Sequence, residues 1–217
     1  MKTSLILLIA LFSTTTYAQQ ISPCCTVTSG NYCLLLDKSN YKTISFLNQE
    51  NRVYKLKVCD KDGYVVESYD AVLGIGGEGN KQFQADGKVT EGVYNITQKS
   101  DKKMGSTTAP HQYHKYFLID YPNSDNNSTF QTFLQDKDSV TKGKEFLQDR
   151  LNKAKSQKDK SNIAYYTSQL KSYPKIGGAI EIHGTRQDNE KSVDMGDNWT
   201  DGCISIRNSD IDNLYRK

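Results

Sequence analysis

Apolar and polar residues alternate with a period of two along much of this chain. Val53-Tyr54-Lys55-Leu56-Lys57-Val58-Cys59 has the spacing of a half-buried strand, Asp60-Lys61-Asp62-Gly63 supplies a turn, and Tyr64 to Gly74 follows as a second strand. Together they predict a β-hairpin. Gly92 to Thr97 and Lys115 to Tyr121 predict further strands, the latter closed by the turn signal Pro122-Asn123-Ser124-Asp125. From about 139 to 172 the period changes. Phe146, Leu147, Leu151 and Ala154 recur at helical spacing, as do Ile163, Tyr166 and Leu170 beyond a lysine-rich break. This predicts one long helix or a helical hairpin, inserted as an amphipathic element with one solvated face. Pro174 and Gly177-Gly178 return the chain to alternation at Ala179–His183 and Cys203–Arg207. The fold class expected is mainly β, with an α-helical insertion.

The amino terminus has a different character. Met1-Lys2-Thr3 is a short basic start, Leu5 to Phe12 an apolar run and Thr16-Tyr17-Ala18 a small-residue exit. Residues 1–18 therefore read as a secretory signal peptide, too short to span a bilayer, with the mature chain starting at Gln19 or Gln20. Pro23 before Cys24, and the early end of the apolar run, argue against a lipid anchor on that cysteine. About 200 residues remain, enough for one domain. Residues 19–52 read as a cysteine-containing arm and 53–217 as the globular domain. With 28 basic and 25 acidic residues the charge is nearly balanced, so nothing calls for nucleic acid or a membrane surface as partner.

Export changes the reading of the five cysteines. Cys24, Cys25, Cys33 and Cys59 suggest two disulfides, either 24–33 with 25–59 or 24–59 with 25–33. Cys203 is left over, and an unpaired thiol in an exported protein needs a chemical reason. Two other motifs carry less. Gly74-Ile75-Gly76-Gly77-Glu78-Gly79 matches a dinucleotide-binding pattern, yet the polar stretch after it does not open a helix, so it reads as a flexible loop, with the lining of a substrate groove as the lesser alternative. His111 and His114 have metal-pair spacing without a carboxylate or cysteine cluster to complete it. No metal and no organic cofactor is expected.

In Ala179-Ile180-Glu181-Ile182-His183 the isoleucines take the core side, so Glu181 and His183 share the other face. In Cys203-Ile204-Ser205-Ile206-Arg207 the same logic sets Cys203 with Ser205 and Arg207. If these strands are neighbours, thiol and imidazole meet. A free thiol with a pKa of about 8.5 is a few per cent ionised at neutral pH, and a histidine partner is expected to lower that pKa substantially. Gly202 lets backbone approach a substrate carbonyl, and the N–H groups of Gly202 and Cys203 are candidates for an oxyanion site. Asp201 either orients the imidazole or caps the turn. Trp199 is a candidate groove residue, Arg186 and Arg207 are candidate carboxylate binders, and Asn208 and Ser209 read as helix caps.

At these residues the sequence resembles a known family. "IEIHG" followed by "TDGCISIRNSDIDNLY" is similar to the YkuD-type L,D-transpeptidase catalytic domain, in which a His-Gly strand precedes Ser-His-Gly-Cys, a short apolar strand, Asn and a helix. "DGYVVESYDAVLG", "KVTEGVYNI" and "FLIDYPNSD" agree, particularly with a YafK-like branch. The likeness spans roughly residues 53–124 and 176–217, without the helical insertion. It implies a mixed β-sandwich-like fold and a periplasmic or cell-envelope cysteine acyltransferase acting on peptidoglycan stem peptides, without a cofactor. Cys203 matches the nucleophile, His183 the general base, Gly184 the residue whose backbone holds that histidine, and Gly202 the small residue before the nucleophile. Asp201 stands where the family has a second histidine and Ser205 where many members have arginine, both places that recognise substrate. The family pattern also implies a further strand beyond Lys217. Three readings follow: a transpeptidase passing its acyl group to an amine, a wall-attached protein included; an amide hydrolase of the same fold; and an inactive wall-binding module.

Overall fold

The computed structural model describes residues 6–9, 31–46, 49–101, 113–186 and 190–217. Its strands are β1 (Ile6–Ile9), β2 (Tyr32–Phe46), β3 (Gln49–Asp60), β4 (Val65–Val72), β5 (Gly92–Ser100), β6 (Tyr116–Ile119), β7 (Glu181–His183) and β8 (Ile204–Ile206). The helices are α1 (Ser124–Gln135), α2 (Lys137–Ser156), α3 (Lys160–Ser172), α4 (Lys191–Asp194) and α5 (Asn208–Tyr215). The strands close into a barrel in the order β1-β2-β3-β4-β8-β7-β6-β5. β1 lies in the segment read as a leader, parallel to β2 and antiparallel to β5. The β3–β4 hairpin forms where the alternation places it. Asp60 Oδ1 accepts from the backbone N–H groups of Asp62 and Tyr64, and Gly63 takes φ 84 at the turn, a conformation glycine adopts without a Cβ penalty.

Two regions differ from the sequence expectation. Residues 32–46 and 49–52 belong to the sheet rather than to a separate arm, since β2 runs antiparallel to β3 over almost its whole length. A register shift between Asp37 and Tyr41 breaks the alternation there, and the polar run at that break hides the strand. The helical segment also opens at Ser124, well before 139. Asn123 caps it reciprocally: its side chain accepts from the N–H groups of Asp125 and Asn126, while Asn126 Oδ1 accepts from the Asn123 N–H. A residue type that marks turns thus starts a helix.

The barrel encloses one core, including Leu34, Leu36, Leu56, Ala71, Tyr94, Ile180, Ile182, Ile204 and Ile206, plugged by Ile211 and Leu214 of α5. A second core, of Phe83, Ala85, Phe133, Leu147, Leu151 and Tyr166, fastens the helices to the loop after β4. Cys33 and Cys59 are buried and disulfide-bonded. Cys24 and Cys25, and with them the expected pairing, lie outside the described residues, as does His111. His114 Nε2 is 2.7 Å from Asp212 Oδ1. No helix among the described residues is long and apolar enough to cross a membrane, and no group of three metal-ligating side chains occurs among them.

Candidate active site

The two stretches singled out by alternation are adjacent. β7 and β8 pair in parallel, Ile182 with Ile204 and His183 with Ser205. One step back in that register brings Glu181 beside Cys203. The isoleucines enter the barrel core, and His183, Glu181 and Ser205 lie on the opposite face. That face is not open: a second layer of side chains covers it, leaving His183 and Glu181 each 1 % exposed.

Aromatic rings surround His183. Tyr113 stacks on the imidazole at 3.9 Å between centroids, and Trp199 meets it edge-on at 5.4 Å. Arg186 lies over the Trp199 ring, 4.5 Å from its centroid. His183 Nδ1 lies 2.7 Å from the Gly184 carbonyl oxygen. A carbonyl accepts only, so this nitrogen carries the proton and Nε2 keeps its lone pair. Burial, opposed by that carbonyl and aided by the Arg186 charge, pushes the histidine down to about 4. It is neutral at physiological pH.

Gly184 has no room for a side chain, because a Cβ would lie 2.4 Å from Asn208 Oδ1 and 2.6 Å from the His114 carbonyl. Asn208 therefore does not cap its helix. It is the first residue of α5 and accepts from Thr185 Oγ1 at 3.3 Å, while Arg207 occupies the cap without a side-chain bond.

Cys203 is the free cysteine among the described residues. Its thiol points to the Ala179 carbonyl at 3.8 Å, a residue in the left-handed region at φ 54. The Glu181 backbone also bonds the sulfur. Among the described residues no hydrogen bond joins Sγ to the His183 ring. Burial, then the Glu181 carboxylate, push the thiol up to about 12 against the opposing pull of Lys81, the reverse of the lowering expected from a histidine partner, because the sulfur is desolvated and not bonded to the imidazole. The resting pair is thus thiol and neutral imidazole, diagonal neighbours on one face of two parallel strands.

Other candidates occupy different roles. Gly202, at φ 123, backs onto the loop after β4, where a Cβ would lie 2.6 Å from the Lys88 carbonyl. Its N–H donates to Thr200 Oγ1 at 3.3 Å, which removes it from the expected oxyanion pair. Asp201 does not approach the imidazole as a hydrogen-bond partner; the Tyr165 hydroxyl of α3 donates to it. Ser205 Oγ is 3.5 Å from the Gly184 carbonyl. Arg207 is not available to substrate, being bound by Asp70 at 3.1 Å, Asp210 at 3.5 Å and Asp194 through Nε at 3.0 Å.

Four residues at the site escape the sequence reading. Lys81 and Asp86 form a buried ion pair at 2.9 Å, and Asp86 also accepts from three backbone N–H groups. They belong to the loop that follows the glycine cluster, which is packed rather than loose: Gly76 N–H donates to the Gly87 carbonyl at 2.8 Å and Ile75 N–H to Thr200 at 2.9 Å. Tyr113 and Tyr165 are the others, and neither has a pattern in sequence that marks it. Glu181 was legible, since it shares the face of His183 by alternation. No dinucleotide helix follows the glycines.

Chemically, the arrangement offers a thiol, a neutral imidazole with a free Nε2 and a buried cation facing the sulfur. A search of curated proteins finds no match to the chain. The family model of the L,D-transpeptidase catalytic domain, YkuD, matches residues 43–217, a span that takes in β3 to α5 and both halves of the site, and the chain belongs to that family.

Proposed function

We propose that the chain is an exported peptidoglycan L,D-transpeptidase with Cys203 as nucleophile and His183 as general base. The observation that carries this reading is the neutral, Gly184-anchored imidazole on the same strand face as the only free thiol of the described residues. Because the thiol rests protonated, attack and deprotonation are coupled. Cys203 turns from the Ala179 carbonyl, gives its proton to Nε2, and adds to the carbonyl of a meso-diaminopimelate residue. The resulting imidazolium returns the proton to the leaving amine of the terminal D-alanine. Lys81, ion-paired with Asp86, still favours negative charge on the sulfur, in a site where low solvent content strengthens its effect. The thioester then passes to an amine, giving a cross-link or attachment of a wall protein.

Export rests on the leader at 1–18. Its removal takes β1 away and leaves the other strands as an open sheet running from β2 to β5. The test is mass spectrometry of muropeptides from sacculi incubated with the mature protein or with Cys203→Ala. New cross-links or exchanged terminal residues, absent with the variant, are expected. Loss of existing cross-links would assign a hydrolase instead. Identical profiles from two folded proteins would overturn both and favour a wall-binding module.

A further inference from the structure

β7 carries a second buried acid–base group beside the thiol. The Tyr113 hydroxyl donates to Glu181 Oε2, whereas Oε1 is buried with no hydrogen-bond partner among the described residues. The same tyrosine ring stacks on His183, so one side chain ties the carboxyl to the base. The Glu181 carboxylate is also the charge that most raises the Cys203 thiol, in keeping with the register that sets the two side by side. A buried carboxylate oxygen without a donor is costly unless a proton or a cation meets it. Lys81 and Arg207 are committed elsewhere, Lys81 to Asp86 and Arg207 to Asp70, Asp194 and Asp210. No ion pair among the described residues includes Glu181.

We propose that Glu181 receives the acyl acceptor: its Oε1 binds the ammonium group of an amine substrate and takes one proton from it. This rests on the acyl-transfer reading and names the residue behind its second half. The acceptor R–NH3+ gives a proton to the carboxylate, forming R–NH2 and a neutral carboxylic acid. The amine lone pair then forms the C–N bond to the thioester carbonyl, and the C–S bond breaks. The proton lost from the attacking nitrogen passes through His183 Nε2 to the departing sulfur, restoring the thiol. Glu181 later releases its proton to solvent. Burial keeps this carboxyl at about 7, in spite of the lowering by Tyr113, so near neutral pH it can both accept a proton and give it up.

The test loads the full mature protein with a stem tetrapeptide ending in D-alanine and follows the thioester by intact mass. Discharge is then compared with meso-diaminopimelate, an ammonium acceptor, and with hydroxylamine, which is uncharged at neutral pH. In Glu181→Gln the ratio of diaminopimelate capture to hydrolysis should fall about tenfold or more, while the hydroxylamine ratio moves less than about twofold. An unchanged diaminopimelate ratio overturns the inference. If Glu181→Gln does not fold, the wild type still decides: it should prefer diaminopimelate over hydroxylamine in direct competition, and equal capture overturns the proposal. Absence of any thioester in the wild type overturns the nucleophile assignment itself, whereas a thioester with unchanged partition overturns only the role of Glu181.

Discussion

A β-carbon at residue 202 would strike the Lys88 carbonyl at 2.6 Å, from a backbone at φ 123 that other residues rarely adopt. Gly202→Ala should therefore lose about 2–3 kcal/mol, through strain and overpacking together. Urea denaturation checks it, and a midpoint equal to wild type would contradict the packing described. His183 and Glu181 make opposite pH demands. His183 falls from 6.5 unfolded to about 4 folded, so stability is full above 6.5 and is lost as pH drops toward 4. Glu181 rises from 4.5 to about 7, so its stability is full below 4.5 and is lost as pH climbs toward 7. Between 4.5 and 6.5 the two slopes oppose each other. In the wild type the contributions of these two groups should largely cancel in that window. Glu181→Gln leaves the histidine slope alone, up to about 1.4 kcal/mol lost per unit of acidification. Urea midpoints across a pH series would show it; parallel curves for the two proteins would refute the assigned burial. At this scale Cys203, His183 and Glu181 were legible, because alternation alone sorts a strand's two faces. Tyr113, Tyr165 and Lys81 were not. Each reaches the site from a distant segment, and no spacing rule connects them.

Helices α1 to α3 form more than a solvated appendage. Leu147 is fully buried in a cluster with Phe83, a residue of the loop whose Lys81 faces the thiol. Leu147→Ala should cost about 2–5 kcal/mol, measured by chemical denaturation; a loss below about 1 kcal/mol would show that the helices pack weakly. Tyr165→Phe removes the hydroxyl bond to Asp201 while keeping the ring. Stability should fall by roughly 1–3 kcal/mol, the loss of an internal hydrogen bond to a carboxyl group, and if α3 forms a wall of the site kcat/KM for the stem peptide should fall about three- to tenfold as well. Unaltered kinetics would confine the contact to structure. The helical periodicity of α2 and α3 was visible in their apolar residues. α1 was not, because Asn123-Ser124-Asp125 serves equally as a turn or as a cap, and only the following packing of Phe133 decides between them.

Across the whole molecule, one buried cysteine on each of β2 and β3, Cys33 and Cys59, is disulfide-bonded. Reduction should lower the melting temperature by about 5–15 °C, the equivalent of roughly 2–4 kcal/mol. A scan with and without reductant tests this, and coincident melts would deny the bonds a stabilising part. The sequence by itself determined the mainly-β class, the helical segment, the polar face carrying His183 and Cys203, and the family, since each depends on local periodicity or a contiguous motif. Tertiary structure decided which strands are neighbours, the parallel β7–β8 register and the closure of the second layer over that face. It also decided how firmly the protonation states are held. An imidazole and a thiol of ordinary pKa are already mostly neutral at neutral pH, and folding extends that neutrality over a wider pH range by desolvating both; desolvation is a property of the packed chain rather than of any stretch of it.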